Sequence, residues 1–408
     1  MRRQDQVASL AGKRIVFVFA GEILGGAERG AFDLALPLKR AGADVQIFAL
    51  DDRPGRARTI AEREGIPWNS VRTHWTGSRA ARVLSLLRVA AVLRRLRPDV
   101  LLAHTNFPNV ACGLIWRLTG AKLSVWNQWD VLGTKRFSPG LFRRALRATP
   151  LVITEAFHAR DWLVAEWGAD PARVHVIRAD VQLAPPRAGR ADWRERLGIS
   201  EDDFAACMLA HFHSGKDHPT LLRAWFRVVD ALRGTGPKPV LLLAGRPAGT
   251  ESDVKALAFD LRLREHVQFL TDVDDVSGLL SAVDLAVISS RSEGFPRAAL
   301  EPMAAGLAVV GTDVPGINEA LGECDPRFLA APGDVAALAD AILLLIKDET
   351  LRSRTARENA DRIETRRTAP EGTEAYTRLI FEELGGRLRH SGAGTVADTA
   401  QFKATRRP

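Results

Sequence analysis

The fold of this chain is limited above all by short apolar runs that alternate with segments of helical periodicity. The first half holds such runs at 14–20, 43–50, 99–103, 123–126, 151–154 and 174–177. The second half holds further runs at 205–210, 240–244, 267–270, 285–288 and 308–311, and helical spacing recurs at 221–229, 254–263 and 335–346. Runs of this kind are typical of parallel strands that are buried on both faces. Strands alternating with helices predict an α/β protein with doubly wound parallel sheets.

The segment 184–189, which contains two prolines and a glycine, is the clearest linker in the sequence. Strand and helix patterns restart after it, and 408 residues suffice for two domains with full cores. We therefore predict two Rossmann-like domains that face each other across a cleft. The first domain is placed at 1–183, the linker at 184–200 and the second domain at 201–365.

Composition limits the class of protein. With 46% apolar and 26% charged residues, the chain is predicted to be globular. The first residues lack the apolar core of a signal peptide, and no run approaches the length of a membrane span, so we expect a cytoplasmic protein. The cysteines Cys112, Cys207 and Cys324 are far apart, which argues against a disulfide framework or a zinc site and favours buried positions.

Charge is distributed unevenly along the chain. The net charge is +12 over residues 1–180 and −4 over residues 181–408, which gives the overall value of +8. A basic first half indicates a surface for an anionic substrate, an anionic membrane or a nucleic acid. The nucleic-acid interpretation is the weakest, because no reader module or stacking motif accompanies the charge. We therefore expect no nucleic-acid partner.

The stretch 283–319 carries the strongest functional signal. Glu293 follows the predicted strand 285–288 and is followed at once by Gly294, and Pro296 suits the first turn of a helix. Ligands of α/β sheets bind outside the carboxyl ends of the strands, and a helix amino terminus attracts a phosphate. Glu301 lies further along that helix, where its carboxylate could accept two hydrogen bonds from a ribose diol. The pattern predicts a nucleotide-sugar site.

Three motifs of this stretch, Glu293-Gly-Phe-Pro, Glu301-Pro-Met-Ala-Ala-Gly and Thr312-Asp-Val-Pro-Gly, resemble the donor-site signature of the retaining glycosyltransferases of family 4. The resemblance implies the GT-B fold, with an acceptor-binding first domain and a donor-binding second domain. It implies that Glu293 contacts the transferred sugar, that Glu301 holds the ribose, and that the backbone at Gly294 and Phe295 contacts the diphosphate. The donor would be a UDP- or GDP-sugar, and no metal cofactor is expected.

A simpler interpretation of the same residues remains open. Arg297 and Glu301 are four residues apart, so they could form a solvated salt bridge on a helix, and Glu293 could be a surface acid. The family's architecture would also send the last helix, within 366–389, back onto the first domain. Residues 390–408 lack apolar periodicity and are predicted to be disordered.

Two further motifs resemble the family's phosphate-binding elements. Gly25 and Gly26 lie where the first strand turns into a helix, and Glu28 lies in the first helical turn, as in the family's GGxE element. After the first strand of the second domain, Lys216 resembles the family's basic residue that neutralises the departing diphosphate. The family usually has an arginine five residues earlier, but His211 stands there in this chain. Asp217 and Pro219 are expected to begin the following helix.

Candidate acceptor-side residues follow two strands of the first domain. His104 resembles a recurrent histidine of the family at the carboxyl end of its strand, although a lone histidine there is more often structural. Many family members carry a catalytic-site histidine after the next strand, where this chain has Asn127 and Gln128. Either amide could hydrogen-bond a sugar hydroxyl. Asp130 could orient an acceptor hydroxyl or cap the next helix.

Asp272 and Asp274 have the spacing of a metal-binding pair, but an acidic pattern of this size is frequent by chance, and we expect no metal site. The stretches 79–97 and 140–147 are basic and amphipathic, with Phe142 expected to be exposed. They could contact an anionic membrane at its inner face, or they could be ordinary helices that bury their apolar sides against the sheet.

These expectations combine into one prediction. The chain is predicted to be a retaining glycosyltransferase that moves a hexose from a nucleoside diphosphate to an acceptor hydroxyl, with Glu293 and Lys216 as the catalytic residues. The acceptor would be a sugar or a lipid-linked glycan of cell-envelope polysaccharide, lipopolysaccharide or glycolipid synthesis. The alternative is a relative of the same fold that binds nucleotide sugars without catalysis, because His211 and the Asn127-Gln128 pair depart from the family pattern.

Overall fold

The computed structural model describes residues 10–21, 25–53, 55–73, 78–129, 137–178, 181, 183–271, 273–322, 324–368 and 372–385. The predicted disordered tail at 390–408 therefore lies outside the described residues. No helix within the described ranges combines the length and the apolar character needed to cross a membrane.

The first sheet has strands in the order β3-β2-β1-β4-β5-β6-β7, all parallel. The strands are β1 (Arg14–Phe19), β2 (Asp44–Ala49), β3 (Trp68–Ser70), β4 (Val100–His104), β5 (Leu123–Gln128), β6 (Leu151–Thr154) and β7 (Val174–Val176). The alternation of the sequence identifies all of these except β3. That strand is three residues long and half-buried, so it lacks an apolar run.

The second sheet has the order β10-β9-β8-β11-β12-β13, again parallel throughout. Its strands are β8 (Phe204–Leu209), β9 (Pro239–Ala244), β10 (Val267–Leu270), β11 (Leu285–Ile288), β12 (Val309–Thr312) and β13 (Leu329–Ala330). In each sheet the strand order reverses once, between β1 and β4 in the first and between β8 and β11 in the second. The predicted fold class, two doubly wound Rossmann-like domains, is confirmed.

Helices connect the strands on both faces of each sheet. In the first domain they are α1 (Gly26–Arg40), α2 (Arg56–Arg63), α3 (Arg79–Arg95), α4 (Asn106–Thr119), α5 (Pro139–Ala148) and α6 (Phe157–Trp167). Those that follow are α7 (Arg190–Leu197), α8 (His218–Leu232), α9 (Glu251–Asp260), α10 (Val276–Ser281), α11 (Arg297–Ala304), α12 (Pro315–Leu321), α13 (Val335–Lys347), α14 (Glu349–Thr368) and α15 (Thr373–Glu383). As predicted, Asp217 caps α8 through bonds to Thr220, and Pro219 lies in its first turn.

The segment predicted as a linker contains helix α7, so the prediction of 184–200 as linker is wrong in part. Arg194 of this helix is buried, and its guanidinium donates to the carbonyl oxygens of Ser200, Asp203 and Ala282. These bonds fix the helix to the second domain. The helix was not predicted from the sequence because it is short and mostly polar.

The last helix, α15, packs on the first domain. Tyr376 and Ile380 are buried in the same apolar cluster as Phe17 and Val125 of the first sheet. The hydroxyl of Tyr376, the single tyrosine of the chain, donates to the side-chain oxygen of Asn127 in β5. This bond joins α15 to β5 of the first sheet.

A carboxylate of the second domain joins the two domains. Glu319 of α12 accepts hydrogen bonds from the N–H groups of Phe157 and His158, at 2.8 and 3.2 Å, where α6 begins. Its oxygens also lie 3.1 Å from the His158 ring nitrogen Nδ1 and 3.1 Å from the Arg178 guanidinium. Burial alone would raise the pKa of Glu319, but these bonds lower it to about 2. An anion at a helix amino terminus also gains from the helix dipole.

Two expectations about the basic helices need correction. Phe142 of α5 is fully buried between Trp126 and Trp167, because the helix turns its apolar side to the sheet and its arginines outward. The predicted apolar face of α3 is divided. Ala90 and Leu93 are buried, whereas Val83 and Leu87 are 56% and 49% exposed. Of the cysteines, Cys112 and Cys207 are buried as expected, and Cys324 is half-buried.

Replacing Tyr376 by phenylalanine is expected to destabilise the protein by roughly 1–3 kcal/mol, because the Asn127 oxygen would lose a buried donor. The free energy of unfolding in urea would measure this loss. Thr377→Val is the matched control, because the Thr377 hydroxyl donates to the Thr373 carbonyl within the same helix. An equal loss in both variants would refute the role given to the Tyr376 bond.

The Glu319 contact is expected to weaken in acid. Because the pKa of Glu319 is about 2 in the folded state and 4.5 for an unperturbed glutamate, its contribution is complete above pH 4.5 and is lost as the pH falls toward 2. Amide hydrogen exchange of Phe157 and His158, corrected for its intrinsic pH dependence, should accelerate across this window. Glu319→Gln should remove the protection already at pH 7, and Glu358→Gln on the exposed side of α14 should not.

Candidate functional site

A cleft of about 950 Å³ lies between the two domains. It is lined by the loops that follow β1, β4, β5 and β6 in the first domain and β8, β9, β10 and β11 in the second. The cleft thus spans the reversal points of both sheets, where ligands of open α/β sheets bind. All eight predicted donor-site residues line it: Gly25, Gly26, His211, Lys216, Glu293, Gly294, Phe295 and Glu301.

Glu293 and Lys216 are in direct contact. The Lys216 ammonium donates a short hydrogen bond to Oε1 of Glu293, and the Ser290 hydroxyl donates to the same oxygen at 2.6 Å. The side chains of Lys216 and Glu293 are 16% and 11% exposed, so the pair lies within the cleft wall and not on the outer surface. One carboxylate is therefore oriented by a cation and a hydroxyl.

Backbone pairing holds these two loops together. Lys216 and Ser290 form an isolated antiparallel bridge, and the N–H of Arg291 donates to the Gly215 carbonyl at 3.0 Å. The N–H of Asp217 donates to the Ser289 carbonyl at 2.8 Å. The loop after β8 is thus fixed to the loop after β11. This explains why two side chains 77 residues apart meet.

Two further contacts support the loop that carries Glu293. A Cβ atom at Gly316 would lie 2.5 Å from the Glu293 carbonyl oxygen and 2.3 Å from that of Gly294, so only glycine fits there. His158 of the first domain approaches the Glu293 carbonyl at 3.3 Å through Nε2. Gly316, the glycine of the third motif, therefore allows α12 to pack closely against the Glu293 loop.

On the first-domain wall, Gly25 and Gly26 lie at the amino terminus of α1. The N–H of Gly25 donates to the Glu28 carboxylate at 2.8 Å, so Glu28 closes the start of the helix and does not face the ligand space. Burial raises the pKa of Glu28, and the hydrogen bonds from the Glu28 and Gly25 backbone N–H groups oppose this effect.

Glu301 and Arg297 form the predicted salt bridge, with 3.4 Å between Nε and Oε1, but the pair is not solvated. Their side chains are 13% and 16% exposed, and the Arg297 guanidinium also lies 2.9 Å from Asp33 of the first domain. The interpretation as a solvated pair is therefore wrong. Arg297 instead links Glu301 to the opposite wall of the cleft.

Two of the predicted acceptor-side residues, His104 and Asn127, do not line the cleft. His104 is 1% exposed, its ring is stacked on Phe17, and burial lowers its pKa to about 3. Asn127 is fully buried; its Nδ2 donates to the Ala103 carbonyl at 2.8 Å. Gln128 is buried beside Asn106, to which it donates at 3.0 Å. These side chains hold the first sheet together, and Asp130 lies outside the described residues.

Other residues of the first domain line the cleft. Thr105, Trp129 and Glu155 follow β4, β5 and β6 and all line it. Thr105 has a φ of 71°, which a β-branched residue rarely adopts and which marks backbone strain at this edge. Burial raises the pKa of Glu155 to about 7, opposed by the charge of Arg297 and assisted by that of Asp33. These three residues could have been found in the sequence because each of them lies shortly after the end of a predicted strand.

The described residues contain no group of three or more histidine, cysteine, aspartate or glutamate side chains that could hold a metal ion. Asp274 instead pairs with Arg56 of the first domain, and both side chains are largely exposed. Asp272 lies outside the described part of the chain.

Two family models match the chain in succession. Residues 24–183 match the model described as Glycosyltransferase Family 4, and residues 189–362 match the model described as Glycosyl transferases group 1. Their boundary falls between the two domains of the structure. Each family model thus covers one domain.

Among curated proteins, the chain is 28% identical to the N-acetyl-alpha-D-glucosaminyl L-malate synthase of Bacillus anthracis, over 65% of this chain and 69% of that protein. It is 30% identical to the D-inositol 3-phosphate glycosyltransferase of Saccharomonospora viridis, over 59% of this chain and 58% of that protein. The matches to these and similar curated relatives cover between 49% and 69% of the length of each relative.

A solved structure of Anabaena Alr3699/HepE in complex with UDP and glucose shares the fold, with a TM-score of 0.74 and 21% identity over 90% of this chain and 98% of that one. WaaG, a glycosyltransferase involved in lipopolysaccharide biosynthesis, has a TM-score of 0.67 and 16% identity over 91% of this chain and 100% of that one. With both domain families matched and the GT-B fold in place, the chain belongs to the family 4 glycosyltransferases.

Proposed function

We propose that the protein transfers a sugar from a nucleoside diphosphate to an acceptor hydroxyl with retention of configuration at the sugar. The observation that supports this most strongly is the contact between Lys216 and Glu293 inside a cleft lined by both domains. The diphosphate and the sugar are adjacent groups of the donor. A cation for the first and a carboxylate for the second would therefore have to lie next to each other, as Lys216 and Glu293 do. Both side chains also match the family's donor signature.

The donor is proposed to be a UDP-sugar. One protein of the same fold, Anabaena Alr3699/HepE, has been solved with UDP, with UDP and glucose, and with UDP-glucose. In this chain the diphosphate would lie between Lys216 and the amino terminus of α11, which follows Pro296. Glu301, inside α11, would accept hydrogen bonds from the ribose hydroxyls.

In the proposed mechanism the departing diphosphate accepts the proton of the acceptor hydroxyl on the face from which the sugar leaves. The bond from the sugar carbon to the diphosphate oxygen breaks while the bond to the acceptor oxygen forms on that same face. Lys216 stabilises the charge on the leaving oxygen, which is the main electrostatic task of the site. Glu293 orients the sugar hydroxyls and favours the positive charge that develops at the ring.

The acceptor would bind against the first-domain wall, between Trp129 and Glu155. Arg29 and Arg56 also line this wall, which favours an acceptor that carries a carboxylate or a phosphate. The names of the curated relatives include L-malate and inositol 3-phosphate, both anionic. Precursors of envelope polysaccharides or glycolipids with an anionic group belong to the same chemical class.

Three isosteric substitutions test the division of roles. Glu293→Gln should abolish sugar transfer while largely sparing UDP affinity, because Glu293 is assigned to the sugar. Glu301→Gln should weaken UDP binding roughly tenfold, through loss of charge-assisted bonds to the ribose. Lys216→Met should lower turnover about 100-fold or more, because the leaving oxygen loses its cation. Calorimetric titration with UDP would measure the UDP affinity. The rate of UDP release from UDP-sugars would measure turnover.

Unchanged turnover in all three variants would refute the mechanism. A wild-type protein that binds UDP-sugars tightly but transfers sugar to no acceptor and to no water would instead support the non-catalytic alternative. An anomeric product opposite to that of the donor would refute retention.

We also propose that α3 contacts an anionic membrane surface. Val83, Leu84 and Leu87 are 56%, 69% and 49% exposed and lie on one side of the helix. Arg79 and Arg88, one turn before Val83 and one turn after Leu84, are exposed beside them. Apolar side chains flanked by arginines suit the headgroup region of a bilayer. The exposed arginines of α5 add to the basic surface without an apolar contribution.

Replacing Val83, Leu84 and Leu87 together by serine should remove binding to vesicles that contain phosphatidylglycerol, because the apolar part of the contact is lost. Co-sedimentation with these vesicles, compared with vesicles of phosphatidylcholine alone, would measure this. Phe259→Ser is the matched control, since Phe259 is 74% exposed but lies on the second domain. Equal sedimentation of wild type and triple variant would refute the contact.

A further inference from the structure

Glu155 is a buried carboxyl group to which the proposed mechanism gives no role. It directly follows β6, is 8% exposed, and lines both the cleft and a smaller cavity behind it. Within the part of the chain that the structure describes, no group donates a hydrogen bond to its carboxyl oxygens. Buried polar groups rarely lack a partner, so this carboxyl group is available to a molecule that enters the cleft.

The groups around Glu155 belong to several elements. Arg297, the first residue of α11, lies 2.9 Å from Asp33 of α1 and 3.4 Å from Glu301. One guanidinium therefore already serves two carboxylates, and Glu155 is a third acid within reach of its charge. The smaller cavity adds Arg40 of α1, Arg178, which binds Glu319, and Tyr376 of α15, which binds Asn127.

These surroundings favour the protonated form of Glu155. Burial raises the pKa of Glu155 to about 7, while the charge of Arg297 lowers it and that of Asp33 raises it. Because one guanidinium cannot neutralise three carboxylates, ionisation of Glu155 would leave excess negative charge in this wall of the cleft. Below a pH of about 7 the group is a neutral acid that can donate its O–H, and above it the group is a carboxylate.

Glu155 lies near the proposed position of the diphosphate. That position is the amino terminus of α11, and Arg297, which begins this helix, acts on Glu155 through its charge. An ionised Glu155 would repel the diphosphate, whereas the neutral acid can donate a hydrogen bond to one of its oxygens. The bound anion and the proton on Glu155 thus favour each other.

We propose that Glu155 binds the nucleotide sugar as a neutral acid, through a hydrogen bond from its carboxyl group to the sugar diphosphate, and that donor binding takes up protons from solution. The inference rests on the proposed function and adds a binding residue to the same site. Uptake follows because the anion strengthens proton binding by Glu155, so molecules that are ionised before binding become protonated. Donor affinity is then highest in mild acid and falls as the pH rises through neutrality.

The test follows the affinity for UDP-glucose as the pH changes. This ligand has no group that titrates between about pH 6 and pH 8, so a change in affinity over that range belongs to the protein. Wild-type affinity should fall about five- to tenfold over the same range. Calorimetry at neutral pH, in buffers of different ionisation enthalpy, should show the uptake of about half a proton on binding.

Glu155→Gln keeps the size of the side chain and an N–H donor but cannot ionise. Its affinity for UDP-glucose should be independent of pH and close to the highest wild-type value, and its proton uptake should be lower than that of wild type by about half a proton. This comparison separates Glu155 from His211 and His213, which line the same cleft and whose pKa values are lowered by burial.

Glu62→Gln is the matched control, because Glu62 is a 59% exposed glutamate of the first domain that pairs with Arg58. It should retain the pH dependence and the proton uptake of wild type, and circular dichroism would verify that both variants are folded. Equal pH dependence in wild type and Glu155→Gln would overturn the inference. A folded Glu155→Gln protein that binds UDP-glucose weakly at every pH would also overturn it, because the carboxylate would then be required. Wild-type protein that binds no UDP-sugar would instead overturn the proposed function.

Discussion

The arrangement of the cleft depends on one contact, the Glu319 carboxylate at the amino terminus of α6. It joins a helix of the second domain to the first residues of a helix in the first domain. An apolar cluster continues this contact, with Ala156 and Ala159 packed among residues such as Ile317 and Phe295. Because α6 follows β6 and α12 follows β12, the contact sets the carboxyl ends of both sheets opposite each other. The ion pairs Arg297–Asp33 and Arg56–Asp274 add further links between the two walls of the cleft.

Charged side chains inside the cleft are held in pairs. Lys216 contacts Glu293, and Arg297 lies between Glu301 and Asp33. A buried charge without a partner is costly, so each partner offsets part of the cost of burying the other. An entering diphosphate would compete with Glu293 for the ammonium and would free the carboxylate as the sugar hydroxyls reach it. In the proposed function, this pairing couples the recognition of the diphosphate to that of the sugar.

Which residues of the second domain line the cleft could be predicted from the sequence, because these residues lie on short loops that directly follow strands. Glu293 and Lys216 each lie within a few residues of a strand that an apolar run identifies. The strand and helix order of both domains could be predicted for the same reason. The short strands β3 and β13 could not, since they carry too few residues to form a pattern.

Which residues at the ends of β4 and β5 line the cleft could not be predicted, because their exposure depends on contacts between distant parts of the chain. Asn127 and Gln128 resemble cleft residues in the sequence, yet Asn127 is covered by Tyr376, which lies 249 residues later. His104 is likewise covered by Trp129 and Phe17. The strain at Thr105 is a property of the backbone that residue types do not reveal.

Trp129 separates the cleft from a second cavity of about 220 Å³, since both spaces are lined by this side chain, Gly30 and Glu155. The indole lies so close to Gly30 that a Cβ atom there would be 2.6 Å from its ring. Substitutions at Trp129 or Gly30 would therefore change the shape of both cavities. A smaller side chain in place of the indole would merge the two cavities, whereas a methyl group at position 30 would displace the ring.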